Sequence, residues 1–112
     1  MKTYLVLFRE PDGRVDSHSE EEMKGHGQNW KLWLDEWGKQ GRLAGGNSLT
    51  LNGKLISGRD KIVTNTIHRS GTEIVGGFLL IKADNLEEAT EIASSCPIYE
   101  FDGYAEVREL AN

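Results

Sequence analysis

His26 is the side chain in this sequence best suited to move a proton. At helical spacing it shares a face with Met23, Trp30 and Trp33, so its imidazole stands in an apolar, aromatic wall. There it can serve as general acid or base near neutral pH. The same pattern fits a half-buried histidine closing the first turn of a helix against a backbone partner, and both readings stay open. A cleft in which His26 reaches Glu73, Glu106 or an aspartate by a hydrogen bond would mark catalysis. A filled, dry surrounding would mark packing.

A second group is charged. Arg9 ends one apolar run, Glu73 opens another, and Tyr104, Glu106 and Arg108 alternate along a third, so these last three share one face of a strand. If the strand ends meet, Arg9, Glu73, Glu106 and Arg108 form either a charged mouth for a small polar ligand or an ion-pair network holding strands or subunits together. Arginine suits both, because its planar fork pairs with carboxylates. Trp30, with Trp33 and Trp37, makes a stripe that lines a ligand pocket or packs a helix on a sheet. His68, beside Arg69, faces a ligand or solvent. Cys96 is set aside as a nucleophile: it lies at a helix C-terminus, where the dipole disfavours a thiolate, and no histidine is near it in sequence. No Cys/His spacing suggests a metal, no glycine-rich strand–loop–helix suggests a phosphate cofactor, and the aromatic motif of RNA-binding sheets is absent. The expectation is a site without metal or cofactor.

Composition bounds what these groups can serve. The chain has 112 residues, 38% hydrophobic and 28% charged, which suits one soluble domain with its own core. The net charge of −5 argues against nucleic acid and anionic membrane surfaces as partners. No apolar run approaches a membrane span or a signal segment. A single cysteine excludes an intrachain disulfide and fits a reducing compartment, so the cytoplasm is expected.

The elements that must position the candidates follow in order. Thr3 to Arg9 reads as a strand, apolar on both faces, and Pro11-Asp12-Gly13 as a turn. Ser19 with Glu22 is a capping box opening a helix over Met23, His26, Trp30, Trp33, Leu34 and Trp37. Gly25, Gly27 and Gly38 weaken that helix, the early pair suggesting a loose turn or a close backbone contact, and Gly41 suits its C-terminal cap. Leu43 to Leu51 is a strand, Asn52-Gly53 a two-residue hairpin turn, Lys54 to Ser57 the return, and Lys61 to His68 a further β segment. Glu73 to Ala83 is the longest β run, apolar on both faces at Phe78-Leu79-Leu80-Ile81, which places it inside a sheet. Asp84-Asn85 caps a second helix through Leu86, Ala89, Ile92, Ala93 and Cys96, stopped at Pro97. Ile98 to Gly103 connects to a last strand, Tyr104 to Leu110.

This order, with right-handed crossovers, predicts an α+β, ferredoxin-like layout: an antiparallel sheet with two helices on one face. The central strands are apolar on both faces, so the bare face needs a cover, and a second copy of the same sheet is the simplest one. A homodimer packed sheet on sheet is expected.

Three segments, Glu73-Ile-Val-Gly-Gly-Phe, Leu86-Glu-Glu-Ala-Thr-Glu-Ile-Ala-Ser-Ser-Cys-Pro97 and Ala105-Glu-Val-Arg108, together resemble the YCII-related proteins, in the branch named for an Asp-Gly-Pro-Phe motif. Trp30, Trp33 and the Gly-Arg-Leu-Ala-Gly-Gly stretch from Gly41 fit the same branch, and the resemblance covers most of the chain. It implies the dimeric α+β barrel and no particular reaction. The signature motif falls at Asn65-Thr66-Ile67-His68, where its aspartate and Gly-Pro turn are replaced. The better-studied branch pairs a histidine on the first helix with an aspartate; aligned from Arg42, that histidine position falls nearer Trp30 than His26, so the pair is not carried over.

The expected function is binding of a small organic molecule in a cleft between the first helix and the sheet edge, with acid–base chemistry at His26. The competing reading is a non-catalytic interaction or sensor module whose dimer interface is the functional surface.

Overall fold

The computed structural model describes residues 1–13 and 17–111. Among these residues six strands and two α-helices run in the order β1 (Lys2–Pro11), α1 (Glu20–Lys39), β2 (Leu43–Ser48), β3 (Leu55–Ser57), β4 (Ile62–Thr64), β5 (Glu73–Ala83), α2 (Leu86–Ser94) and β6 (Tyr104–Glu109), with a 3₁₀ turn at Pro97–Phe101. Four strands form one antiparallel sheet in the order β2-β5-β1-β6, which is the expected α+β, ferredoxin-like arrangement. The two most apolar strands, β1 and β5, occupy its centre, where both edges are paired and both faces need company.

Alternation decides which side chains meet the helices. Along β1, Tyr4, Val6, Phe8 and Glu10 are buried while Leu5, Leu7 and Arg9 are half-buried on the opposite face. Leu79, Ile81 and Ala83 of β5 join the covered face, and Trp33 of α1 with Ala89, Ile92 and Ala93 of α2 close over it. Tyr4, Val6, Ile81 and Ile92 are the largest fully enclosed side chains, each contributing about 1.5–3 kcal/mol through burial.

Local signals set the helices. The Ser19 hydroxyl accepts from the Glu22 amide at 3.1 Å, and the Glu22 carboxylate accepts from the Ser19 amide at 3.1 Å. Asn85 caps α2 by accepting from the Glu88 amide at 2.8 Å. Gly41, at φ 71, turns the chain out of α1 in the left-handed conformation that favours glycine. Gly25 and Gly27 do not break α1, and a Cβ on either would meet nothing within 4 Å.

Two expectations need correction. Asn52-Gly53 is not a hairpin turn: the Leu49 amide keeps bonding to β5, at the Gly76 carbonyl (2.9 Å), and Ile67 packs where a Gly53 Cβ would lie. β3 therefore pairs with β4, not with β2, across the turn at 58–61. The β segment ends at Thr64 rather than His68, because the Thr66 amide folds back to the Thr64 carbonyl. Residues 98–103 connect to β6 as expected, through the 3₁₀ turn begun at Pro97 and closed by Asp102 at φ 61 and by the Gly103 amide bonding to the Ile98 carbonyl.

Candidate active-site cleft

A cleft of about 700 Å³ opens between α1 and edge strand β2, within the size range of small-molecule sites. Phe8, Trp30, Leu34, Leu43, Leu79 and Ile98 give it apolar walls, and Gly45, Gly46, Gly76 and Gly77 leave stretches of backbone uncovered. Among the described residues two ionisable groups line it, His26 and Glu10.

His26 is fixed at both ring nitrogens. Nδ1 lies 2.7 Å from Glu100 Oε1, and Trp30 donates its indole N–H to Nε2 at 3.1 Å. An indole N–H can only donate, so Nε2 holds the lone pair and Nδ1 carries the proton toward Glu100. This is the orientation in which a carboxylate selects the tautomer and would balance the imidazolium formed when Nε2 takes a proton. The partner is not one of those expected. Glu73 and Glu106 lie on the far face of the sheet, and no aspartate bonds to His26 among the described contacts. Glu100 comes from the 3₁₀ turn, started by Pro97 at its first position, and its second oxygen accepts from Asn29 Nδ2 at 2.9 Å. The Phe101 ring lies against His26 (centroids 4.2 Å, 26°) and against His18 (3.7 Å, 13°). Two near-parallel rings that close to one benzene ring must take opposite faces, so Phe101 is sandwiched between them.

Glu10 is the one charged residue buried among those described, at 5% exposed. The room for its carboxylate exists because β1 and β5 shift register between Phe8 and Arg9, opposite Gly76. A Cβ on Gly76 would collide with Glu10 Oε1. Sequence reasoning missed Glu10, although the alternation Tyr4, Val6, Phe8 carries straight to it. Glu100 had no such signal, since its contact with His26 spans 74 residues.

The predicted charged group does come together, but on the uncovered face. Arg9 Nε donates to Glu106 at 3.3 Å, Arg9 pairs with Glu73 at 3.9 Å, and Arg108 pairs with Glu106 at 3.4 Å. The Tyr104 hydroxyl donates to Glu73 at 2.6 Å, and that hydrogen bond pushes its ionisation up. Arg9, Glu73, Glu106 and Arg108 are thus separated from His26 by the sheet itself. His68 is exposed and lines a smaller recess of about 310 Å³ with Arg9 and Glu73 at the end of that same face. Trp30 serves both expected uses, lining the cleft and packing edge-on against Phe8 and Trp33. Trp33 belongs to the core and bonds Ser95 Oγ at 2.9 Å. Cys96 is buried, and burial pushes its thiol up to about 11. Among the described residues no group of side chains is arranged to hold a metal ion, and no helix is long and apolar enough to cross a membrane.

No curated protein matches the chain. Among solved structures it is similar in fold to 5-chloro-2-hydroxyhydroquinone dehydrochlorinase (TftG) from Burkholderia phenoliruptrix AC1100, in complex with 2,5-dihydroxybenzoquinone. The TM-score is 0.58 at 12% sequence identity, over 98% of this chain and 94% of that one. The family model described as YCII-related domain matches residues 3–111, nearly the whole length, and the chain belongs to that family.

Proposed function

We propose that the chain binds a small, mostly apolar organic molecule in the cleft between α1 and β2, and that His26 moves a proton there. The observation that carries this reading is the Glu100–His26 pair at the wall of an open, apolar-lined cleft. In the proposed step the indole N–H of Trp30 gives way to an acidic O–H or C–H of the bound molecule. Nε2 takes that proton, the bound molecule keeps the electron pair, and the Glu100 carboxylate balances the imidazolium. The solved neighbour is named for an enzyme and holds a hydroxylated quinone, so hydroxylated six-membered rings are the first probes to try.

Thermal-shift titration with 2,5-dihydroxybenzoquinone and simple hydroxybenzenes tests the reading, since binding to the folded state raises Tm. The expected result is a concentration-dependent rise for at least one probe, reduced in both Trp30→Ala and His26→Ala. No rise at millimolar probe, or a rise indifferent to both changes, overturns it. A second reading is favoured by one observation: both ring nitrogens of His26 already have partners within the protein. On that reading the cleft is inert and the protein works as an interaction module.

We further propose a homodimer through the uncovered sheet face. Leu5, Leu7, Val75, Phe78 and Leu80 stand half-buried there without a second layer, and the molecule is only 18 Å thick. On this face Arg9 and Arg108 are paired with Glu73 and Glu106, so these four charges offset one another, which suits a surface facing its own copy across a two-fold axis. The lone unpaired Cys96 accords with a cytoplasmic protein.

A further inference from the structure

The hairpin of β3 and β4 is the part of the molecule that its own fold does not use. The two strands pair only with each other, three residues long each, and a hairpin of that size is at best marginal in water without a surface to lean on. Yet it is built of large aliphatic residues, and they face outward: Ile56, Ile62 and Val63 are 69%, 62% and 55% exposed. Leu49 and Leu51, on the way out from β2, are also exposed. The base of the arm is pinned. Arg69 Nε donates to Asp12 Oδ2 at 2.9 Å and its guanidinium also reaches Thr66 Oγ1 at 3.3 Å, while Ile67 packs on Gly53. A firmly rooted arm with exposed aliphatic strands and a charged turn at its tip is built to reach something.

The dimensions say how much is uncovered. The radius of gyration is 15.6 Å, against about 13 Å for a compact domain of this length. The accessible surface is 7680 Å² for a 12.5 kDa chain, where about 6,200 Å² is usual for a folded monomer of that mass. The excess, about 1,500 Å², is more than the roughly 800 Å² each partner contributes to a stable protein interface.

Charge identifies the occupant. Between Lys54 and Thr64 the arm has three basic residues, Lys54, Arg59 and Lys61, against the single acid Asp60, a net of +2. The whole chain is −5, so the remainder carries −7. A basic, apolar arm on an acidic body is complementary to the body of another copy, whereas an anionic lipid surface or nucleic acid would repel that same body. A two-fold axis lets each copy place its arm on the other.

We propose that the β3–β4 hairpin is a clasp that seats on a second copy of this chain, covering Ile56 and Val63, which stand opposite each other on one face of the hairpin, and setting Lys54, Arg59 and Lys61 against the partner copy's acidic surface. The inference rests on the homodimer reading and adds to it a second, separable contact. It is tested with equal mixtures of ¹⁴N- and ¹⁵N-labelled chains, using a zero-length amine–carboxyl cross-linker and mass spectrometry. Light scattering is run in parallel on wild type, the arm variants Ile56→Ser/Val63→Ser and Lys54→Glu/Lys61→Glu, and the face variant Leu80→Glu. Lys54 and Lys61 are both exposed, so the charge-reversed pair keeps the fold even if the serine pair does not. The expected result is a wild-type species of about twice 12.5 kDa, mixed-isotope cross-links from Lys54 or Lys61, and a dimer dissociation constant raised at least tenfold in the charge-reversed arm. A dimer lost only in Leu80→Glu, with no mixed cross-link from the arm, overturns the clasp and leaves the sheet-face dimer standing. A monomer under all conditions overturns both. Arm-dependent adhesion of a monomer to phosphatidylserine vesicles also overturns the clasp.

Discussion

Trp30 donates its indole N–H to Nε2 of His26, four residues earlier on the same helix, at 3.1 Å. The contact closes one side of the imidazole while Glu100 closes the other, and together they decide where the proton sits. In the neutral ring, long-range ¹H–¹⁵N spectra should show Nδ1 protonated and Nε2 bare. Trp30→Phe should leave that tautomer in place, because Glu100 still accepts from Nδ1, while lowering stability by about 0.5–1.5 kcal/mol for the lost hydrogen bond. A spectrum with the proton on Nε2 would contradict the arrangement and remove the proposed base.

Gly76 and Glu10 should be coupled. Gly76→Ala drives a methyl group into the Glu10 carboxylate and should cost about 1–3 kcal/mol by overpacking. In a Glu10→Ala background the same change should cost much less, since the obstructed atoms are gone. Urea denaturation of the two singles and the double measures this, and additive effects would show that the two do not meet.

Gly27 offers the opposite sign. It lies within a regular helical stretch with open space where a Cβ would go, so Gly27→Ala should raise stability by about 0.5–1 kcal/mol. The urea midpoint reads this directly. A loss instead would mean that something packs against this turn in solution.

Glu88 makes stability depend on pH. Its carboxylate pairs with the Arg42 guanidinium and accepts from the Asp84 amide, which hold it below its ordinary value of about 4.5. The folded state therefore binds fewer protons there than the unfolded chain. The contribution is whole above about 4.5 and is lost as pH falls through the lower folded value. Wild type should be more stable than Glu88→Gln at pH 7, with the gap closing in acid. A gap that persists at pH 2 would assign the effect to something other than ionisation.

Much of this fold is legible in the sequence because its elements are locally determined. Ser19 and Glu22 start α1, Asn85 starts α2, and the apolar runs at Leu5–Phe8 and Phe78–Ile81 go to the sheet centre. Parity along β6 puts Tyr104, Glu106 and Arg108 together as expected. What it does not give is the side of the sheet relative to α1, so the charged group falls away from His26. Asn52-Gly53 shows a local turn preference losing to a tertiary one, since β2 bonds onward to β5 at Leu49. Glu100 was illegible for a different reason: a 3₁₀ turn of five residues carries no apolar period, and its aim depends on where α1 lies.

The thinness of the molecule has a last consequence. A sheet with helices on one side, 18 Å through, has no third layer to shelter its backbone, so slow amide exchange will be confined to a narrow band along β1 and β5, whose edges are both paired. If a second copy lies over the bare side, that band should spread to β6 and β2 as protein concentration rises, giving a readout of association that needs no label and no ligand.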